Sequence, residues 1–217
     1  MKKALAVLFF LVGVAIFMFA TLPATDSFTG TNGSALSASW TANHGTFNIQ
    51  NNSACIASAG STEMAHWNAD TFANDQYAQG NISLSGTSGD FVGLGVRIAA
   101  AAETGYVFQC QGPQGAVSGC TLYRGVAGSY TQLGSQWTSP TSGDLMKITV
   151  SGSGTSTLLT VTDNGTTEIT FTDNSGSALS SGSAGLSGFN SDTGDCIDNF
   201  QADNITAVTP TMPPAVY

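Results

Sequence analysis

A surface that binds sugars needs flat aromatic side chains to stack on C–H patches and planar polar groups to meet ring hydroxyls. The sequence offers Trp67, Trp137, Tyr106, Tyr123 and Tyr130 as platforms, with Arg97, Gln109 and Arg124 as polar partners. Arg97 stands out because the chain holds only 5 Lys and Arg residues against 14 Asp and Glu. An arginine on the non-core face of a strand points either to a binding groove or to one buried ion pair. Catalytic constellations are sparse. The histidines are His44 and His66, and no Gly-x-Ser-x-Gly elbow supplies a serine nucleophile. Glu63, Glu103 and Glu168 are far apart, and none has a carboxylate two or four residues on, so paired acids would have to meet in space. Neither Cys-x-x-Cys nor an EF-hand loop is present.

The elements that must position these groups read as strands. Short β-rich runs separated by Gly, Ser, Asn and Asp clusters recur from Thr46 to Ala202, with no helical period of useful length. Asn164-Gly165 between Leu159-x-Val161 and Ile169-x-Phe171 predicts a type I′ hairpin. Val92, Leu94, Val96 and Ile98 alternate onto one face, with Phe91, Gly93, Gly95 and Arg97 on the other. The number of runs suits two packed antiparallel sheets rather than a small barrel.

Ahead of the strands, Met1-Lys2-Lys3 and the uncharged stretch Ala4 to Ala20 have the form of an export signal, with Ala20 or Ala24 at its end; the length also approaches a membrane span. Residues 1–24 are therefore read as a signal peptide or membrane anchor, 25–207 as one sandwich domain, and 208–217 as a Pro-rich tail. The expected location is extracellular or cell-surface, with membrane contact only through residues 4–22 if they are retained. Four cysteines in an exported chain imply two disulfides. Cys110 and Cys120 flank a loop-like stretch, which leaves Cys55 for Cys196. Charged residues make up only 9% of the chain, and the formal net charge of -9 disfavours nucleic acid.

The ordered motifs Asp26-Ser-Phe28, Leu36-x-x-x-Trp40, Phe47-x-Ile49, Gly93-Leu-Gly-Val-Arg97, Gly105-Tyr106, Leu122-Tyr-Arg124, Ile148-x-Val150, Asp163-Asn-Gly165, Gly185-Leu186 and Ile197-Asp-Asn-Phe200 resemble the concanavalin A-like lectin/glucanase superfamily, in particular its laminin-G-like jelly-roll modules. The resemblance implies an all-β, two-sheet antiparallel β-sandwich behind the N-terminal signal or anchor helix, with Arg97 on the curved sheet. It also implies pairing of the first and last strands, which would bring Asp26 and Asp198 together as oxygen ligands for calcium. The Glu-x-Asp-x-x-Glu strand of the superfamily's glucanases is absent.

Three functions follow as expectations. The first is a carbohydrate-binding or adhesion module without catalysis, using Arg97, Tyr106, Tyr123, Gln109, Trp67 and Trp137 on a glycan. The second is a self-associating structural subunit of a filament, surface layer or virion appendage. The third is a secreted glycoside hydrolase or polysaccharide lyase of the same fold.

Overall fold

The computed structural model describes residues 22–57, 60–85, 89–111, 119–137, 140–190 and 194–205. Residues 1–21 of the expected signal peptide or anchor, and the expected tail at 208–217, lie outside the described residues. Among those described, no helix is long and apolar enough to cross a membrane.

Two antiparallel sheets pack face to face, with strands numbered in chain order. Sheet A runs β13 (Thr166–Asp173), β12 (Thr157–Asp163), β11 (Leu145–Ser151), β6 (Gln76–Ser83), β15 (Cys196–Asn204), β4 (Ser53–Ile56) and β3 (Phe47–Gln50), and β1 (Ala24–Asp26) also pairs with β15. Sheet B runs β10 (Ser129–Trp137), β9 (Gly119–Val126), β8 (Gly105–Gln111), β7 (Phe91–Ile98), β14 (Ser183–Phe189), β5 (Thr62–Trp67) and β2 (Trp40–His44). The expected sandwich and the first-to-last strand pairing are both present.

Period-two patterning builds these sheets. On β6, Ala78 and Ile82 turn inward while Tyr77, Gln79 and Asn81 turn outward; on β11, Met146, Ile148 and Val150 do the former and Lys147 and Thr149 the latter. Asn164 (φ 46°) and Gly165 (φ 85°) make the expected hairpin, with Asp163 opposite Thr166. Both expected disulfides form, and each lies within a sheet: Cys55–Cys196 joins β4 to β15, and Cys110–Cys120 joins β8 to β9.

One expectation about β7 reverses. Ser183 pairs with Ile98 and Gly185 with Gly95, so Val96 and Arg97 together oppose Ala184 in a β-bulge. Arg97 takes a left-handed backbone (φ 51°), and beyond it the two faces exchange. Ile98 moves to the outer face with Met64 and Val107, and the Arg97 side chain goes inside with no solvent exposure. Gly182 packs against the bulge so closely that a Cβ there would sit 2.4 Å from the Arg97 carbonyl carbon. The buried guanidinium donates to Asn74 O (Nε, 2.8 Å), Leu179 O (Nη1, 2.6 Å) and Gly152 O (Nη2, 2.6 Å), and Asp75 stands 3.6 Å away. Of the two roles open to this arginine, the structure shows the buried one, tying three loops to the end of β7.

Tyr106 is likewise interior. Its hydroxyl donates to Asp173 Oδ2 (2.7 Å) and accepts from Leu179 N–H (2.8 Å), while Arg124 Nη1 donates to both Asp173 oxygens (2.9 and 2.8 Å). Burial pushes the Asp173 carboxyl up, but hydrogen bonds from Ser175, Arg124 and Tyr106 outweigh it and hold the pKa at about 2. This cluster fastens β8 and β9 of one sheet to β13 of the other.

Candidate functional site

The turn between β7 and β8 does not extend into solvent. Asn43 on β2 donates to Ala99 O (2.6 Å) and Ala102 O (3.0 Å), Thr62 on β5 donates to Glu103, and Gly128 N–H donates to Glu103 O (3.0 Å). These anchors lie on both sides of β7, so residues 99–104 fold across the outer face of sheet B. His66 supports the arrangement from β5. Asn43 uses its amide on carbonyls, so its Oδ1 accepts from His66 Nδ1 (2.7 Å); burial lowers the His66 pKa and favours the neutral ring.

Beside this turn the outer face keeps an open groove of about 230 Å³, lined by Thr62, Phe91, Gln109, Tyr123, Tyr130 and Phe189. Phe91 and Phe189 face each other across β7 and β14, edge to face at 6.2 Å, and Tyr123 and Tyr130 do the same across β9 and β10 at 6.2 Å. Gly93 on β7 lies level with Gln109 and Ser187 on the neighbouring strands and has no room for a side chain, since a Cβ there would meet Phe108 O at 1.8 Å. Gln109 borders it, its amide nitrogen donating to Ser187 Oγ (2.8 Å) and Gly188 O (3.2 Å).

Acids stand behind one wall. Glu103 Oε1 accepts from Thr62 Oγ1 and from Tyr130 Oη (3.1 Å), and His44 Nδ1 lies 3.8 Å from it. The Tyr130 pKa is raised, by burial first and then by Glu103. Glu63, fully buried, accepts from Ser61 Oγ (3.2 Å), and its Oε2 has no hydrogen-bond partner among the described residues; burial raises its pKa to about 7. The neighbourhood of Glu63 and Glu103 is the spatial meeting of acids that their sequence separation conceals. Glu63 does not line the groove.

Of the six residues expected to bind a ligand, the structure brings Tyr123 and Gln109 together in this groove. Arg97 and Tyr106 are in the interior. Trp67 packs with Trp40 (5.3 Å) and Phe200 (6.1 Å) in the core and donates to Asp70 Oδ2 (2.8 Å). Trp137, at the end of β10, is partly buried against that core. Of the two further candidates, Tyr130 joins the groove, whereas Arg124 is engaged by Asp173. Sequence reasoning missed Thr62, Phe91, Phe189 and Glu103. The alternation of β7 already puts Phe91 on the non-core face, but the others depend on cross-strand pairing and on the path of the turn.

The carboxylates of Asp26 and Asp198 each have hydrogen-bond partners of their own. Asp26 Oδ2 accepts from Trp40 Nε1 (2.8 Å) beside the core ring of Phe200, and its Oδ1 accepts from Phe28 N–H (2.7 Å). A bulge at Asn199 (φ 51°) separates Asp198 from Phe200 and leaves it opposite Asn81 on the outer face, where it accepts from Asn199 N–H (2.7 Å). Among the described residues no three His, Cys, Asp or Glu side chains are placed to hold a metal ion. A larger cleft of about 390 Å³ at this seam, lined by Thr25, Asp26, Ser27, Asn199, Phe200 and Gln201, has no accessible aromatic face, because Phe200 is buried.

No family model and no curated protein matches the chain. Solved structures do. The carbohydrate-binding module CBM66 from Bacillus subtilis superposes with a TM-score of 0.51 at 15% identity, over 76% of this chain and 92% of that one. The metal-free carbohydrate recognition domain of Emp46p gives 0.52 at 8% identity, over 82% and 94%. The Crh5 transglycosylase in complex with NAG gives 0.57 at 13% identity, over 87% and 86%. At such identities the likeness is one of fold, and it agrees with the strand order and the paired sheets: the chain has the jelly-roll β-sandwich fold of these structures, consistent with the resemblance read from its sequence.

Proposed function

We propose that this chain is an exported carbohydrate-binding module that acts without catalysis, and that the groove on the outer face of sheet B is its binding site. The observation that carries the reading is the pair of aromatic couples, Phe91 with Phe189 and Tyr123 with Tyr130, lining one groove together with the polar side chains of Gln109 and Thr62. Two of the similar folds described above are named as carbohydrate-binding domains, which supports the same reading. Extracellular action is supported by two disulfides and by the form of the N-terminal sequence.

A catalytic reading has one specific observation in its favour, the proximity of a Glu63 carboxyl with a pKa near 7 to Glu103. Against it, Glu63 is fully buried and has no face toward the groove, whereas a general acid must reach the glycosidic oxygen.

The test is a glycan array followed by calorimetric titration of the best ligand against wild type and Tyr123→Ala. Loss of roughly tenfold or more in affinity, with an unchanged unfolding midpoint, is the expected result. Silence across the array, or equal binding by the variant and by Phe91→Ala, would remove the groove from consideration. Reducing ends released from a bound polysaccharide would favour the enzyme instead.

A further inference from the structure

The hydrogen-bond polarity of the groove is fixed by groups that do not line it. Tyr130 and Thr62 each give their hydroxyl proton to Glu103 Oε1, so toward the groove their oxygens offer lone pairs. His44 Nδ1 lies 2.6 Å from the Thr62 carbonyl, an acceptor, so that nitrogen carries a proton and takes none from the Thr62 hydroxyl. Gln109 has both amide protons engaged by Ser187 Oγ and Gly188 O. Because a carbonyl accepts only, this also fixes which end of the amide is nitrogen, leaving Oε1 as the free end, with no hydrogen bond from any described residue. Thr62, Tyr130 and Gln109 thus all present acceptors, and Tyr123, whose hydroxyl has no described partner, can play either part.

No lysine or arginine among the described residues stands on the same wall, where the one basic side chain is the His44 imidazole 3.8 Å from Glu103 Oε1. Of the three Lys and Arg residues among those described, Arg97 is sealed inside against carbonyls, Arg124 is engaged by Asp173, and Lys147 stands 3.8 Å over the Tyr77 ring on the outer face of the other sheet. What lies behind the groove is the Glu103 carboxylate. Four aromatic rings and an anionic, acceptor-lined wall attract a cation that carries N–H donors. They leave a carboxylate or sulfate with neither donor nor counter-charge.

Resting on the carbohydrate-binding reading, we infer that the groove selects sugars bearing a free, protonated amino group over their neutral parents and rejects uronates and sulfated sugars.

The experiment titrates the full chain with oligosaccharides matched in backbone and differing in charge: β-linked glucosamine, glucose and glucuronate oligomers, together with the corresponding series on whichever backbone the glycan array prefers. The amine-bearing member is expected to bind roughly five- to tenfold tighter than the neutral one, and the uronate at least tenfold weaker than the neutral one. Glu103→Gln should bring the amine-to-neutral ratio close to one, since the amide removes the charge and can return a donor to Tyr130. Should that variant fold poorly, the wild-type ratio itself should shrink as salt is raised to about 0.5 M. Neutral sugars bound in the groove with no gain for the amine, or uronates bound equally well, would overturn the selectivity and leave the binding site standing. If no member binds and Tyr123→Ala changes nothing, the binding site falls and the selectivity falls with it.

Discussion

Replacing Arg97 by methionine preserves most of the buried volume and removes the guanidinium that meets Asn74 O, Leu179 O and Gly152 O. A buried carbonyl left without a donor costs about 1–3 kcal/mol. Asn74 and Gly152 sit at the exposed rim, where water can replace part of the loss, so the low end applies and the three together come to about 3 kcal/mol. The Asp75 ion pair adds little, because its carboxylate is 46% exposed. In equilibrium urea unfolding with the disulfides intact, a slope of about 2 kcal/mol per molar turns this into a midpoint lowered by about 1.5 M. Arg97→Lys should fall only part of the way back toward wild type, since one ammonium cannot span three carbonyls that a planar fork reaches. Glycan affinity of the folded variant should stay within about twofold of wild type, because the side chain points away from the groove. A variant with an unchanged midpoint and abolished binding would refute the inward placement of Arg97 and restore the reading that puts it on the ligand face.

Two further outcomes follow from buried groups. Glu63, with a folded pKa of about 7 against an ordinary 4.5, holds in the native state a proton that the unfolded chain has already released. Stability should therefore fall as pH rises from about 4.5 to about 7, by at most about 3 kcal/mol, and Glu63→Gln should flatten that slope in unfolding curves measured across the range. A wild-type curve that instead rises over this window would contradict the assignment. Removing the Cys55–Cys196 bridge, with a sequence separation of 141, should cost about 5 kcal/mol in the chain-entropy limit, against about 3 for Cys110–Cys120, with a separation of 10. Paired Cys→Ala variants compared by chemical denaturation test that order, and equal losses would argue that strain or packing, not loop closure, dominates.

Strands with a buried face were legible because period-two alternation is a local property: β6, β7, β8, β11 and β12 read directly from the chain. Four strands were not. β10 (Ser-Tyr-Thr-Gln-Leu-Gly-Ser-Gln-Trp) is an edge strand with mostly exposed side chains, so it carries little apolar signal. β5 contains Glu, Met, Ala and His, whose local preferences do not favour a strand, and it exists because β14 and β2 pair with it on either side. β1 is three residues long, and β2 is the edge of sheet B opposite β10.

The candidate site divides in the same way. Composition and sequence alone established a low-charge all-β sandwich, its disulfides, and the scarcity of cations that shapes the groove. Where Arg97 points was decided by tertiary structure. A single left-handed residue opposite Ala184 reverses the alternation after Val96, and that reversal comes from the pairing of β7 with β14, which no window along the chain contains. The same holds for Glu103. Its effect on Tyr130 and Thr62 arises because a turn folds back over a sheet face, bringing together β5, β10 and the β7–β8 connection, which are distant in sequence. Alternation tells which residues share a face only while the register is unbroken; bulges and folded turns are settled by long-range pairing, and in this protein they built the site.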